Sequence, residues 1–211
     1  MTLACKVCTS KDVDEDVEVN KKLVVRVLAM GHMSIAEHVQ TTWLIKGVSR
    51  ALTHQLVRHR LCTFSQQSQR YVEFDSADFY VPDTCQSEQV KDIFDETFTY
   101  LKKQYRKLRK LNVKKEDARF LLPNATKNNI IMSCNLRQLM HVLNMRLCVR
   151  AQAEIRELAN RMRLIMIDKF PELEPFFGAK CEVINEQCFE KCEWDGKLCK
   201  DPVRLKVVEG G

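Results

Sequence analysis

Three observations predict an α+β fold. Extended stretches run over Val39–Val48 and Thr126–Cys134, long helical patterns flank them, and no Pro/Gly linker, repeat or low-complexity segment divides the chain. At 211 residues with 45% apolar side chains, the chain can bury a full core. Mean hydropathy is −0.30, and no apolar run approaches the roughly 18 residues of a membrane span. The opening MTLACKVCTS lacks the basic and apolar regions of a secretory signal. A cytoplasmic protein without a membrane partner is expected. The net charge of +6 points to anionic small molecules or nucleic acid without separating them.

The elements follow in order. Residues Asp12 to Lys22 are charged and read as a loop or an exposed helix start, and Leu23–Met30 reads as a short helix ended by Gly31. Val39–Val48, with its threonines, Trp43 and branched side chains, reads as a strand. Ser49 is the expected cap of a helix running through Ala51, Leu52, Gln55 and Leu56 into Arg58. A polar loop follows, and Val72–Val81 returns to an extended pattern before Pro82. Ser87 is expected to cap an amphipathic helix to about Leu111, with Val90, Phe94, Phe98 and Leu101 on its apolar stripe. Glu116–Leu122 reads as a short helix stopped by Pro123, and Thr126–Cys134 as a second strand. Asn135 then opens one long helix to about Phe170, with Asn135 and Gln138 at capping-box spacing.

Arg58 to Arg70 places three arginines, His59 and two serines in thirteen residues. Arginine presents a planar fork of donors that matches phosphate and carboxylate and keeps its charge. None of the six glycines forms GxGxxG or a phosphate loop, so a nucleotide would have to be held by side chains. His32, Glu37 and His38 are spaced H-x4-E-H, which is wrong for a zinc helix, and Ser65 and Ser68 lack a nucleophile-elbow context. Cys62 lies in the basic stretch, where its thiol could be activated or simply buried. Ten cysteines in a reducing compartment read as free thiols. The tail cysteines Cys181, Cys188, Cys192 and Cys199 lack paired CxxC knuckles, so no metal is expected. The run KKQYRKLRK could contact nucleic acid or form a solvated helix face, and nucleic acid is not the expected partner. On the last helix Arg137 and His141 lie at i,i+4, as do Arg146 and Arg150, with Arg146 about 180° around from Arg137.

Taken together, these segments resemble the flavin-dependent thymidylate synthases, the ThyX proteins. Arg58-His59-Arg60 is followed by seven residues and then Ser68, and the longer pattern RHRxxSxSQxSQRY matches through Tyr71 with Thr63 at its first serine. GHxSxxEH stands at Gly31–His38, ARxxLP at Ala118–Pro123, and the N-x-R…MR…RAQxEIR helix at Asn135–Arg156. Arg150 stands where many members have histidine. The resemblance spans roughly Ala4 to Gly178. It implies a synthase domain at 1–178, without the strand that usually precedes the Leu3–Cys8 segment, and a cysteine-bearing tail at 179–211 of unassigned role.

The resemblance further implies a ThyX-type fold, a central antiparallel twisted sheet flanked by long helices. The subunits would form a homotetramer with active sites between them, reductively methylating dUMP to dTMP. FAD is the implied cofactor, methylenetetrahydrofolate the carbon donor and NADPH the reductant. Gln55, Arg58, Gln66, Gln67, Ser68, Gln69, Arg70 and Arg119 match dUMP-binding positions, and Arg146 matches the arginine set against uracil. His32, Ser34, Arg58, His59, Arg60, Gln66, Asn135, Arg137, His141 and Arg150 match positions at or near FAD. Ser68 and Arg146 are the implied catalytic residues, Ser68 orienting the nucleotide rather than attacking it. A relative of the same fold with changed methylation would carry the same motifs.

Overall fold

Three strands organise the middle of the chain in the order β1-β3-β2: β1 Gln40–Ser49, β2 Thr63–Gln66 and β3 Lys127–Asn135. The computed structural model describes residues 1–9, 20–74, 78–183, 193–194 and 197–198. These residues form two units, one comprising Thr42–Ser133 and the other Met1–Thr41 with the residues from Cys134 onward.

In the Thr42–Ser133 unit, β3 is the central strand. Antiparallel pairing sets Thr63 opposite Ser133 and Gln66 opposite Ile130. On its other side, Thr42 Oγ1 lies 3.0 Å from Ser133 Oγ and the Gly47 amide donates to Asn129 Oδ1 at 3.1 Å, so β1 also runs against β3. Asn128, Ile130 and Met132 are buried while Asn129 and Ile131 are exposed, the period-two alternation of a strand with one covered face. Gly47 sits at φ +70°, a conformation that a side chain would strain.

Helix α3 (Arg50–Leu56) starts where Ser49 Oγ accepts the Leu52 amide at 3.0 Å, as the sequence predicts. Helix α4 (Glu88–Lys110) buries Phe98 and Tyr105, with Phe94 and Leu108 packed beside them. Phe98 stacks on Phe79 at 4.3 Å between ring centroids, and the Phe74 amide donates to Tyr105 Oη. Ser87 occupies the N-cap position of α4 without a side-chain bond to it. Helix α5 (Lys115–Ala118) tightens into a 3₁₀ turn at Arg119–Leu121 and stops before Pro123, matching the expected short helix.

The other unit holds α1 (Thr2–Thr9), α2 (Lys21–Ala29), a 3₁₀ turn at Met33–His38, α6 (Leu136–Arg146) and α7 (Ala153–Lys169). Asn20 caps α2 through the Leu23 amide, and Gly31 at φ +87° ends it. α6 packs on the 3₁₀ turn and on α7, which in turn packs on the Pro171–Phe176 turn. Leu28, Leu139, Leu143, Ile155, Leu173 and Phe177 are essentially sealed from water. A fully buried Leu or Ile contributes about 1.5–3 kcal/mol through its removal from water.

Three expectations are corrected. The single helix from Asn135 to Phe170 is two helices, because Gln152 turns extended (ψ 143°), the Ala151 amide closes a turn on Cys148 O, and Arg156 Nη1 donates to Val149 O. The polar stretch after Arg58 contains a strand, β2, created by its pairing with β3. Among the described residues the extended reading of Val72–Val81 is met around the Phe79–Thr126 bridge and not at Val72, whose amide turns back onto Ser68 O. Residues 10–19 and 75–77 of those readings, and Cys188, Cys192 and Cys199, lie outside the described residues. Cys5, Cys8, Cys62, Cys85, Cys134, Cys148 and Cys181 form no disulfide, and Cys62 is buried. Among the described residues no cluster of three His, Cys, Asp or Glu side chains converges on a point, and no helix is long and apolar enough to cross a membrane.

Candidate active site

The arginine-rich segment is built from α3 outward. After Leu56 the chain closes two turns, the His59 amide on Leu56 O at 3.1 Å and the Cys62 amide on His59 O at 2.9 Å. This tucks His59 inside and leaves Arg58 and Arg60 exposed on either side of it. Neither arginine side chain is tied to a described acid, so both forks remain available to an anion.

β2 then carries Gln66 against the sheet. Its Nε2 donates to Thr53 Oγ1 at 2.8 Å and to Asn128 Oδ1 at 2.6 Å, and Asn128 Nδ2 donates to Val48 O at 2.8 Å. The amide nitrogen of Gln66 is therefore committed to the scaffold, where it holds β2 in place. Gln67 continues the ladder, its amide donating to Asn129 O and its Oε1 accepting from Asn129 N. Gln55 Nε2 donates to Ala51 O at 3.4 Å, and Gln69 is half-buried.

At Ser68 the chain turns. Its Oγ accepts the Arg70 amide at 3.2 Å and its carbonyl accepts the Val72 amide at 3.0 Å. A hydroxyl that accepts through oxygen still has its own hydrogen to donate, so the turn presents Ser68 as an oriented donor. Arg70 Nε pairs with Glu116 Oε2 at 3.0 Å, and Arg119 Nε donates to the carbonyl of the same Glu116 at 3.1 Å. One residue thus joins the two arginine motifs, which lie 49 positions apart in the sequence. Arg50 opens α3 with its Nε buried and unpaired. Burial pushes its guanidinium below the ordinary arginine range, and the charge of Arg119 pushes it further.

In the other unit, His32 precedes the 3₁₀ turn and Ser34 stands within it, both exposed. Ser34 also lines an apolar cavity of about 340 Å³ with Leu3, Val7, Cys8, Ile35 and His38. Glu37 of the same turn accepts from Arg137 Nη1 at 2.5 Å, linking the histidine motif to α6. Asn135 caps α6 by accepting the Gln138 amide at 2.8 Å through its Oδ1, a bond that does not use its Nδ2. His141 is exposed on α6, one turn beyond Arg137. Arg146, half-buried at the end of α6, has its guanidinium pushed down by burial. Arg150 is exposed in the turn between α6 and α7, so its expected i,i+4 relation to Arg146 within one helix does not hold.

Sequence reading missed Glu116, Asn128 and Arg50. Glu116 sits two residues before the ARxxLP motif and looks like an ordinary first-turn acid. Asn128 is polar inside a strand, which was its one signal. Arg50 reads as a helix-start residue until its surroundings are known.

The two units carry several exposed or half-buried arginines, mounted on a small antiparallel sheet and on capped helices. The family profile described as "Thymidylate synthase complementing protein" matches residues 1–172. The flavin-dependent thymidylate synthase of Nitratidesulfovibrio vulgaris is 42% identical over 168 residues, covering 75% of this chain and 69% of its own. That of Clostridium tetani is 39% identical over 222 residues, covering 93% and 88%. The chain belongs to the flavin-dependent thymidylate synthase family. In fold it is similar to the UMP/dUMP methylase PolB from Streptomyces cacaoi solved with 5-Br dUMP, at a TM-score of 0.73 and 24% identity over 83% of this chain and 88% of that one.

Proposed function

We propose that this protein is an FAD-dependent methyltransferase that converts dUMP to dTMP, taking its carbon from methylenetetrahydrofolate and its reducing equivalents from NADPH. The observation that carries this reading is the shared anchoring of Arg70 and Arg119 on Glu116, beside the Ser68 turn. It converges two motifs of the family on one anion-binding wall.

The donor set fits FAD. A dinucleotide diphosphate needs forked cationic donors, and Arg58 and Arg60 offer exposed ones. His32, Ser34, His59, Gln66, Asn135, Arg137, His141 and Arg150 complete the flavin-holding set. The bound flavin supplies the hydride. The chain's residues do the rest. Gln55, Arg58, Gln67, Ser68, Gln69, Arg70 and Arg119 hold dUMP, with Gln66 fixing the strand that presents them. Ser68 donates its hydroxyl hydrogen to orient the nucleotide. Arg146 stabilises negative charge building on the uracil carbonyls, which is what makes C5 nucleophilic enough to take the carbon. Residues 1–178 form the synthase domain of a homotetramer with active sites between subunits, working in the cytoplasm.

The test is dTMP formation from dUMP with methylenetetrahydrofolate and NADPH, with FAD omitted as control, together with tritium release from C5-labelled dUMP. Ser68→Ala and Arg146→Ala are expected to lower turnover about 10²–10³-fold, the range for removing a fixed donor to developing charge. Purified protein that binds no flavin, or both variants turning over like wild type, overturns the reading.

A further inference from the structure

A half-buried cation without a counter-charge among the described residues is the feature of this fold that most needs explaining. Arg50 opens α3, and the turn after Arg119 is stitched to it: the Arg50 amide donates to Thr126 O at 3.1 Å and the Ala51 amide to Asn124 O at 3.0 Å. The Nε of Arg50 is sealed from solvent and meets no acceptor. Its guanidinium makes no hydrogen bond or ion pair with any described residue. The charge of another guanidinium, that of Arg119, whose Nε donates to Glu116 O, acts on it and pushes it further below the ordinary arginine range. A guanidinium nitrogen sealed from water without an acceptor is costly, and perturbed charged groups of this kind cluster at functional sites.

The contrast with Arg70 decides which arginines serve that anion most strongly. Arg70 is compensated by the Glu116 carboxylate. Arg58 and Arg60 are exposed, so water satisfies them. Arg50 and Arg119 are the half-buried pair left without a described acid. Two forks with that much unused donor capacity match the several acceptor oxygens of a phosphate monoester dianion.

We propose that Arg50 binds the phosphate of the nucleotide substrate together with Arg119, as a binding residue that the family motifs do not mark. This rests on the dUMP reading above, since dUMP supplies the phosphate monoester. The phosphate supplies the counter-charge that Arg50 lacks among the described residues and neutralises the repulsion between the two guanidiniums. Arg50 should therefore matter for holding substrate and little for the chemistry on uracil.

The experiment compares wild type, Arg50→Gln and Arg50→Lys, each loaded with FAD. Affinities for dUMP and for deoxyuridine, which lacks the phosphate, are measured by calorimetry or competition, and KM and kcat by tritium release. R50Q is expected to weaken dUMP binding tenfold or more and to raise KM accordingly. Deoxyuridine binding, FAD content and kcat at saturating dUMP should stay within about twofold of wild type. R50K, which keeps the charge but loses the fork, should fall between the two. Inorganic phosphate should compete with dUMP on wild type and more weakly on R50Q. If R50Q fails to fold, R50K carries the test, with dUMP binding weakened at least threefold and deoxyuridine binding unchanged. Equal dUMP affinity in the folded variants, or equal losses for dUMP and deoxyuridine, overturns the role of Arg50 and leaves the function standing. Wild-type protein that ignores dUMP overturns both.

Discussion

Arg137 donates to Glu37 across a hundred residues of sequence, fastening the start of α6 to the 3₁₀ turn that holds Ser34 and follows His32. Both partners are about half exposed, so the pair adds little to stability. Its effect is directional. A guanidinium held at one nitrogen presents its remaining donors along a fixed line, and the neighbouring Asn135 is fixed by its own cap bond.

Glu37→Gln separates these two effects. Unfolding in urea should shift by less than about 1 kcal/mol, as for exposed ion pairs in general. Flavin retention should nonetheless fall several-fold, because Arg137 is no longer aimed. Unchanged FAD affinity in E37Q would show that Arg137 needs no such aiming.

Asn128→Ala addresses the sheet. The substitution removes the acceptor of Gln66 Nε2 and the donor to Val48 O, both in a buried setting. Leaving such groups unsatisfied costs about 1–3 kcal/mol each way of accounting, so a loss of that order is expected in chemical denaturation. Because β2 carries the chain into the Ser68 turn, dUMP affinity should fall with it. A loss below roughly 0.5 kcal/mol would mean that water replaces the amide without penalty.

The cysteines of α1 should react differently. Cys5 is buried and Cys8 is exposed. Burial raises the Cys5 pKa, so the folded state holds that proton more tightly than the unfolded chain. Its contribution is fully present below the unfolded pKa and is lost as pH rises through the folded value. Stability should therefore decline from roughly pH 8.5 upward, and Cys5→Ala should flatten that decline. Peptide mapping after maleimide treatment at neutral pH should find Cys8 modified and Cys5 protected. Equal labelling would show that α1 does not seal Cys5.

What was readable in the chain was mostly local. Ser49 and Asn135 announce helix starts because a side-chain oxygen three residues ahead of a free amide is a short-range interaction. Gly31 announces a stop for the same reason. The RHR and ARxxLP segments name their arginines by spacing alone. What escaped depends on distant partners. β2 is polar in composition and becomes a strand only by pairing with β3 across some sixty residues. The α6–α7 break has neither proline nor glycine at 147–152, and it is held by Arg156 reaching back to Val149 O. Arg50 could not be flagged at all, since what distinguishes it is the absence of a partner.

The adjacent asparagines of β3 have one further consequence. Asn128 reaches inward to Gln66 and to Val48 O, while Asn129, on the opposite face, accepts the Gly47 amide. The two amides act as a key cut on both edges, admitting only one alignment of the three strands. Deleting a single residue here would exchange the faces, sending Ile130 and Met132 toward water and the exposed Ile131 inward. The strand should thus accept many replacements in kind while rejecting any change in its length, and variation in chain length among functional versions should fall elsewhere, in the connecting segments.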